Sequence, residues 1–372
     1  MTWRPRNLLK KFDVAIFGGG PAGSATALSL LQKGCSVVLF ERSQDDKIRH
    51  GETLVPVARK LLVELGVWEQ FLHAGHQQSH GILSAWGNEG LYENNFIFNP
   101  FGNGWHLDRV RFDAMLMTAT EKAGGLVLRG SQTIKCLERA KGLWNLNVQI
   151  KDTLHQFRAR FLVDATGRSS FIAGKMGAKR ILSDHLVGVV AFFHTNRQAF
   201  MHNGCTLIEA QQNGWWYSAG LPGCRTVLAF MTDADIYARA IKSSPGFWQE
   251  QLDSSAYTKA GMVPSNIISK PKPVASCSSR IYPVAGAHWL AVGDAAMSFD
   301  PLSSQGIYKA MESGISAAKS IHKKFIDKTS TLESYSRSAD KAFEQYMSLR
   351  RLYYLKEQRW FKSPFWKRRH LV

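Results

Sequence analysis

One local pattern restricts the fold of this chain more than any other feature of its sequence. Residues 12–23 read FDVAIFGGGPAG, an apolar stretch that runs into three consecutive glycines and then into residues that favour a helix. This order predicts a buried strand, a tight turn and a helix. Gly18 permits the turn, Gly20 lets a phosphate approach the backbone, and Gly23 lets the helix pack closely on the strand. The pattern therefore predicts a cradle for the pyrophosphate of a dinucleotide.

The residues around this turn supply the other predicted contacts of the cradle. The helix begins at Pro21 and Ala22, so its first N–H groups lack partners within the helix and face the expected phosphate charge. The next apolar stretch, VVLFE over 37–41, ends at Glu41, whose carboxylate can accept hydrogen bonds from ribose hydroxyls. Glu41 and the adjacent Arg42 are therefore candidate cofactor-binding residues.

Two further segments indicate which dinucleotide to expect. Residues 162–170 read LVDATGRSS, and residues 290–296 read LAVGDAA before the chain continues into DPLSSQGI at 300–307. The first two segments each contain an apolar strand that ends in an aspartate-containing turn, and all of them follow the glycine turn in a characteristic order. In this combination the chain resembles the flavoprotein monooxygenase and flavin-dependent halogenase superfamily, whose members bind FAD.

The resemblance implies a fold class and several site residues. The implied fold is α/β, with a Rossmann-like FAD-binding domain of the p-hydroxybenzoate hydroxylase type, an antiparallel β-sheet substrate domain and C-terminal helices. In the family the carboxylate matching Asp294 lies near the ribityl chain. An arginine in the segment RVRFD contacts the cofactor, which leaves Arg109 and Arg111 both open. The resemblance also assigns cofactor contacts to Asp164, which can cap a turn as well, and to Gly293, Pro301, Gly306 and Ile307.

The chain order predicts interleaved domains. Residues 1–75, 104–180 and 277–325 are assigned to the FAD-binding domain, 76–103 and 181–276 to the substrate domain, and 326–372 to a basic, helical C-terminal tail. From 187 to 274 the pattern alternates and is rich in aromatic residues, and Asn213-Gly214 favours a hairpin turn. Trp215 and Tyr217 share one face of the next strand, so they either line a cavity for an aromatic substrate or fill the core between the sheet and the other domain.

Composition restricts the partners and the compartment. The 372 residues carry a net charge of +18 without a recognisable nucleic-acid-binding motif, so we expect no nucleic acid. The five cysteines form no C-x-x-C pair and no stretch suits a secretory core or a membrane span, which favours reduced thiols in the cytoplasm. His106, His185 and His202 lack ligand spacing, so no metal is expected. The basic, aromatic segment 350–370 predicts a helix end whose aromatic rings pack on the body, or else a docking or membrane-surface element.

Halogenase-like motifs are present only in part. The loop GETLVP at 51–56 resembles the G-E-S-x-x-P loop that lies beside the flavin in halogenases, and WWYSAGLP at 215–222 loosely resembles their W-x-W-x-I-P motif. Tryptophan halogenases also use a lysine, but no lysine lies between Lys60 and Lys122 in this chain. They use a glutamate and a threonine where this chain has Ser303 and Gln305. The resemblance therefore favours oxygen insertion over halogenation.

A closer resemblance is to the LodB/GoxB-type flavoproteins, which are encoded with quinone-cofactor amino-acid oxidases. It depends on the loops GETLVP and PLSSQGI, the compact length and the lack of the halogenase residues. It implies an FAD-dependent monooxygenase that uses O₂ to hydroxylate a tryptophan of the oxidase precursor, its partner, during cysteine tryptophylquinone biogenesis. Two alternatives stay open: a small-molecule enzyme (an aromatic hydroxylase, a halogenase-like enzyme or a geranylgeranyl-type reductase), and a flavin-binding chaperone for a precursor protein.

Three residues are candidates for catalysis. His50 can donate a proton to a substrate, although a histidine of a surface loop often has no such role. Glu52 lies in the same loop and either orders it or acts as an acid or base. Gln305 presents its amide near the expected flavin ring, or is an ordinary residue at a helix start. The electron donor and the oligomeric state do not follow from the sequence.

Overall fold

The computed structural model describes residues 10–43, 49–150, 153–194, 204–262, 266–327, 329 and 331–371, with the backbone alone over 132–138. The first nine residues and His202 lie outside these ranges. Within them the strands are β1 (Lys10–Phe17), β2 (Val37–Glu41), β3 (Thr53–Leu54), β4 (Gln77–Ser79), β5 (Gly81–Ala85), β6 (Tyr92–Asn95), β7 (Gly104–His106), β8 (Leu126–Arg129), β9 (Ser131–Ala140), β10 (Leu143–Ile150), β11 (Thr153–Asp164), β12 (Lys179–Leu182), β13 (Leu186–His194), β14 (Thr206–Gln211), β15 (Gly214–Leu221), β16 (Arg225–Asp233), β17 (Asn266–Ala275), β18 (Ser279–Tyr282), β19 (Ala285–Gly286), β20 (Trp289–Ala291) and β21 (Met297–Ser298).

The helices alternate with these strands in the first half of the chain and close it at the C-terminus. They are α1 (Pro21–Leu31), α2 (Ala58–Glu64), α3 (Trp68–His73), α4 (Arg109–Lys122), α5 (Phe171–Lys175), α6 (Ala234–Ser243), α7 (Phe247–Asp253), α8 (Tyr257–Ala260), α9 (Gly306–Ile326), α10 (Glu333–Leu355) and α11 (Pro364–His370). Short 3₁₀ turns span Gly167–Ser169, Gly293–Ala295 and Pro301–Ser303.

The first sheet has a parallel core in the order β20-β11-β1-β2-β8, with β19 antiparallel at one edge and β9 and β10 continuing from β11. The end of β1 and all of β2 are buried, which explains why residues 14–17 and 37–40 read as continuous apolar runs. Helix α1 consists largely of small residues, so α9 packs closely along it. The carboxyl ends of β1, β2 and β11 therefore meet at one edge, where open α/β sheets bind ligands.

The second sheet has the order β17-β13-β16-β15-β14-β5-β6. It is antiparallel except between β14 and β5, which run parallel. The predicted hairpin is present: β14 and β15 pair from Gln211 and Gly214 outward. The predicted alternation is also present, because Trp215 and Tyr217 belong to the apolar cluster on one face, whereas Trp216 and Phe230 belong to the cluster on the other. The division of the chain into domains remains a prediction.

The C-terminal helices cover one face of this second sheet. Phe365 and Trp366 of α11 are fully buried and pack in the same cluster as Trp215. Arg369 is 5% exposed, and its guanidinium Nη2 lies 2.7 Å from Oδ1 of Asp233. The aromatic residues of the basic tail thus pack on the body of the protein, as one of the two interpretations of the sequence predicted.

Candidate functional site

The glycine turn between β1 and α1 forms a cradle that only glycine permits. Gly18 has a φ of +110°, and a Cβ atom there would lie 2.1 Å from the carbonyl oxygen of Ala165. A Cβ on Gly20 would meet no atom within 4 Å, because that position faces open space. Helix α1 begins at Pro21 without a side-chain cap or an acidic residue in its first turn. Its free N–H groups therefore face this space, as a bound pyrophosphate requires.

Glu41 closes the cradle from the end of β2. Its Oε2 accepts a hydrogen bond from the Gly19 N–H at 2.6 Å, and its Oε1 accepts one from the Ser43 N–H at 2.9 Å. Each carboxylate oxygen can accept a second hydrogen bond, so the group retains capacity for the hydroxyls of a ribose. The glycine turn, the start of α1 and the Glu41 carboxylate together fit the adenosine half of a dinucleotide.

A cavity of about 800 Å³ opens from the cradle, which is within the usual size of cofactor pockets. Its walls come from the first sheet, from the loop after Arg49, from α4 and from the start of α9. The lining residues are Phe17, Gly18, Gly20, Pro21, Ala22, Phe40, Glu41, Arg42, Arg49, His50, Gly51, Arg109, Asp113, Ser131, Ala165, Thr166, Gly167, Ser169, Phe171, Val292, Asp294, Gly306, Ile307 and Ala310.

The structure distinguishes the two arginines that the sequence left open. Arg109 lines the cavity, and its guanidinium donates hydrogen bonds to the carbonyl oxygens of His50 and Gly51 and pairs with Asp113 at 3.2 Å. Arg111 points away, with 65% of its side chain exposed, toward Asp108 at 3.7 Å. Arg109 is therefore the arginine placed to contact a cofactor.

Asp294 lines the cavity, and the preceding Gly293 lies against Ala22 of α1 and Ala310 of α9. The Asp294 side chain is 40% exposed, and its Oδ2 lies 3.5 Å from Nε of Arg168. Although part of this side chain is open to the cavity, the surrounding protein limits its hydration and so raises the pKa of Asp294, while Arg168, Arg180 and Arg109 act in the opposite direction. Arg180 also donates to the Asp294 carbonyl oxygen at 2.8 Å, which fixes the turn that carries the carboxylate.

Several predicted cofactor residues lie behind the cavity wall. Asp164 is fully buried and accepts hydrogen bonds from the Thr166 N–H at 2.9 Å and the Ala173 N–H at 2.7 Å, so in this structure it fixes a turn. Of the remaining candidates, Gly306 and Ile307 line the cavity, whereas those outside its lining are Gly23, Gly293 and Pro301. The contacts of all these residues with a cofactor remain predictions.

The loop at 50–54 carries two of the catalytic candidates. His50 lines the cavity, its ring centroid lies 5.7 Å from that of Phe192, and burial followed by the charge of Arg109 lowers its pKa. Glu52 is 6% exposed, and its Oε1 has no hydrogen-bond partner among the described residues. Burial raises the pKa of Glu52 to about 7, although Arg109 and nearby backbone N–H groups lower it. Glu52 is thus a carboxyl group that exchanges a proton near neutral pH. The third candidate, Gln305, is exposed at the start of α9 and does not line the cavity.

The two aromatic candidates for a substrate cavity occupy different places. Tyr217 is 7% exposed, and its hydroxyl lies 2.6 Å from Oγ1 of Thr53, beside the Glu52 loop. Burial and then the charge of Glu52 raise the pKa of Tyr217. Trp215 instead donates its indole N–H to the hydroxyl of Tyr354 at 3.0 Å and is fully buried beneath the C-terminal helices. Tyr217 lies at the loop, whereas Trp215 fills the core.

Arg49 is a cavity residue that the sequence analysis missed. Its guanidinium lies 2.7 Å from the buried Asp113 and 3.6 Å from Glu41, so it joins α4 to the cradle. The sequence held one clue to Arg49: Asp113 lies on the buried face of a helix, and a buried carboxylate requires cationic partners.

In the described ranges no group of three or more His, Cys, Asp or Glu residues could hold a metal ion, and no helix is long and apolar enough to cross a membrane.

Comparisons with known proteins identify the family of this chain. The family described as "FAD binding domain" matches residues 11–349. The FAD-dependent oxidoreductase LodB of Marinomonas mediterranea is 30% identical over 367 residues, which cover 97% of this chain and 98% of LodB.

Two solved structures have the same fold. The flavin-dependent halogenase CmlS superposes with a TM-score of 0.87 at 23% identity, covering 98% of this chain and 68% of CmlS. QhpG, described as a peptidyl tryptophan dihydroxylase essential for tryptophylquinone cofactor biogenesis, superposes with a TM-score of 0.77 at 22% identity, covering 96% of this chain and 78% of QhpG.

Proposed function

Because this chain belongs to the FAD binding domain family and is an FAD-dependent oxidoreductase, we propose that it hydroxylates a tryptophan side chain within a partner protein. The partner is the precursor of a quinone-cofactor amino-acid oxidase, and the product is an intermediate of cysteine tryptophylquinone biogenesis. LodB matches this chain over nearly the whole of both lengths, and QhpG, whose name states a reaction on peptidyl tryptophan, has the same fold.

The observation that carries the proposal is the unpartnered carboxyl oxygen of Glu52. This oxygen is buried beside the cavity loop and near Tyr217, and a buried acceptor without a donor is costly. The indole of tryptophan is an apolar body with one N–H donor, and it could supply the donor that the buried oxygen of Glu52 lacks. Glu52 would accept the indole N–H and thereby orient the ring toward the cavity.

The other residues of the chain would bind and orient the cofactor. The glycine turn and the start of α1 would bind the pyrophosphate, Glu41 the ribose, and Asp294 the ribityl chain. Arg109 would keep the 50–51 carbonyl groups against the cavity and so fix the position of Glu52. When bound and reduced, FAD supplies two electrons to O₂, so that one oxygen atom enters the substrate and the other leaves as water. His50 lines the cavity and can transfer a proton there.

The proposed compartment is the cytoplasm. The described cysteines Cys35, Cys205, Cys224 and Cys277 are free thiols, as expected in a reducing environment. A soluble precursor made in the same compartment could then be modified before it leaves.

Mass spectrometry of a precursor produced with and without this protein tests the proposal. We expect one tryptophan of a quinone-oxidase precursor, encoded beside this gene, to gain oxygen only when the flavoprotein is present. The variant Asp294→Ala should abolish the gain. The control Asp253→Ala removes an exposed carboxylate that pairs with Lys259, and it should leave the gain intact. A precursor that stays unmodified with the FAD-loaded wild-type protein would overturn the proposal.

A further inference from the structure

A groove of about 540 Å³ lies where the end of α10 turns into α11. We call it the C-terminal groove. Its apolar lining comes from Leu355, Phe361 and Leu371, and its basic lining from Lys362, Lys367 and His370. Phe361 is 53% exposed and Leu371 is 74% exposed, so large apolar side chains face solvent here beside cations.

The positive charges of segment 350–371 fall into two groups, those paired with carboxylates and those without an ion pair. Between 350 and 371 the chain has eight Lys and Arg residues and a single acidic residue, Glu357. Four of the arginines form ion pairs with carboxylates of the body or of Glu357, and these are Arg350, Arg359, Arg368 and Arg369. Lys362 and Lys367 are exposed and form no ion pair with any described residue. Two of the uncompensated cations of this segment therefore line the groove.

The groove is linked through Tyr354 and Asp300 to the turn that precedes α9, whose first residues Gly306 and Ile307 line the cavity. His370, in its lining, lies with Nε2 3.1 Å from the carbonyl oxygen of Tyr354. The Tyr354 hydroxyl donates to Oδ2 of Asp300 at 2.8 Å, and Asp300 caps the 3₁₀ turn that leads into α9. A partner that occupies the groove would thus contact the helix that anchors this turn.

We propose that the C-terminal groove docks an acidic segment of the partner protein, in which an apolar side chain is flanked by Asp or Glu. The proposal rests on the proposed function, since it names how the protein substrate is recognised. An apolar side chain would fill the space between Leu355 and Phe361, and flanking carboxylates would pair with Lys362 and Lys367. A second copy of this chain does not suit the groove, because both copies carry a net charge of +18 and would repel each other.

The test measures binding of the quinone-oxidase precursor to the FAD-loaded protein by calorimetry at low and at moderate ionic strength. The double variant Lys362→Glu/Lys367→Glu should weaken binding by about tenfold or more at low salt, because it places like charges opposite the acidic segment. The matched control Lys122→Glu/Lys323→Glu makes the same change of net charge at exposed positions of α4 and α9, and it should alter the affinity by less than about twofold. Phe361→Ala, which leaves the charge unchanged, should also weaken binding.

Different outcomes separate this proposal from the proposed function. Equal weakening by both double variants would overturn the docking site, because only net charge would then matter. Unchanged binding by the groove variants would overturn it too, even if the precursor still becomes hydroxylated. A precursor that binds at the groove but gains no oxygen would overturn hydroxylation and retain the docking site. Groove-dependent binding to vesicles with phosphatidylserine, with precursor binding unaffected by the groove variants, would assign the groove to a membrane surface and overturn the proposal.

Discussion

Glu52 is the residue whose position is hardest to explain by folding alone. A carboxyl group that is 6% exposed, with one oxygen lacking a partner, loses hydration without full compensation. The neighbouring charge of Arg109 offsets this cost only in part, because burial still raises the pKa of Glu52 to about 7. Such a residue destabilises the protein, and in a site it is retained for function.

The pH dependence of stability tests this assignment. As the pH rises from about 5 to 7, the unfolded chain, in which the Glu52 pKa is near 4.5, loses the proton before the folded protein does. Stability should therefore fall by about 2 kcal/mol across this window. Glu52→Gln cannot ionise, so its unfolding free energy in urea should lack that fall.

The control Glu344→Gln changes an exposed side chain of α10 and should keep the wild-type dependence. Parallel pH profiles for wild type and Glu52→Gln would contradict the assignment.

Arg109 and Arg111 give a second comparison at this scale. Arg109→Ala removes a cation from the cavity wall and releases the 50–51 carbonyl groups, whereas Arg111→Ala removes an exposed side chain. We expect Arg109→Ala to weaken FAD binding by about tenfold to a hundredfold, and Arg111→Ala by less than about twofold. Titration of the apoprotein with FAD, followed by flavin fluorescence, measures both. Equal losses would contradict the placement of Arg109.

At the scale of elements, a buried carboxylate ties α10 to the Pro301–Ser303 turn, which leads into α9. Asp300 is 1% exposed. Its Oδ2 accepts hydrogen bonds from Nε of Arg350 at 3.1 Å and from the Tyr354 hydroxyl. Its backbone N–H donates a hydrogen bond to the Tyr346 hydroxyl at 2.7 Å. Arg350 also lies 3.1 Å from Asp184. The C-terminal helix therefore fixes the turn from which α9 starts.

Asp300→Asn should destabilise the protein by about 3 kcal/mol or more, because it leaves the buried Arg350 incompletely paired. It should also change the absorption spectrum of bound flavin, since the turn before α9 shifts. Asp340→Asn, on α10, is the matched control, because its exposed pair with Arg280 is worth at most about 1 kcal/mol. Urea unfolding and flavin spectra of the two variants check this. A spectrum of Asp300→Asn identical to wild type would contradict the link between α10 and this turn.

The sequence was sufficient to predict those strands, turns and helices that neighbouring residues specify. The strand, glycine turn and helix around Gly18 follow from adjacent residues, and so does the hairpin at Asn213. The packing of Trp215 against α11 joins residues about 150 positions apart, as in the hydrogen bond from Trp366 to the Gln211 carbonyl. Period-two alternation gave the face of Trp215 correctly but could not show that α11 covers that face. The choice between Arg109 and Arg111 could not be made from the sequence for a similar reason. The packing of α4 on the rest of the protein decides which of the two side chains faces the cavity.

At the scale of the whole molecule, the cavity at the glycine turn, the covered face of the second sheet and the basic C-terminal groove suit a flavoprotein that acts on a protein. The chain matches LodB over 98% of that protein's length but spans only 68% of the halogenase CmlS. The resemblance to tryptophan halogenases implies that their lysine and glutamate are missing, because this chain has no lysine between Lys60 and Lys122 and has Ser303 in the loop before α9. These features together favour hydroxylation of a protein-bound tryptophan.

The most direct test of that claim uses purified components. The FAD-loaded protein, a chemical reductant and the unmodified precursor are mixed under ¹⁸O₂, and the precursor is then digested and sequenced by mass spectrometry. We predict that one tryptophan carries ¹⁸O, and that free tryptophan in the same mixture stays unmodified. Oxygen derived from water, halogen incorporation in the presence of halide, or efficient turnover of free tryptophan would contradict the account.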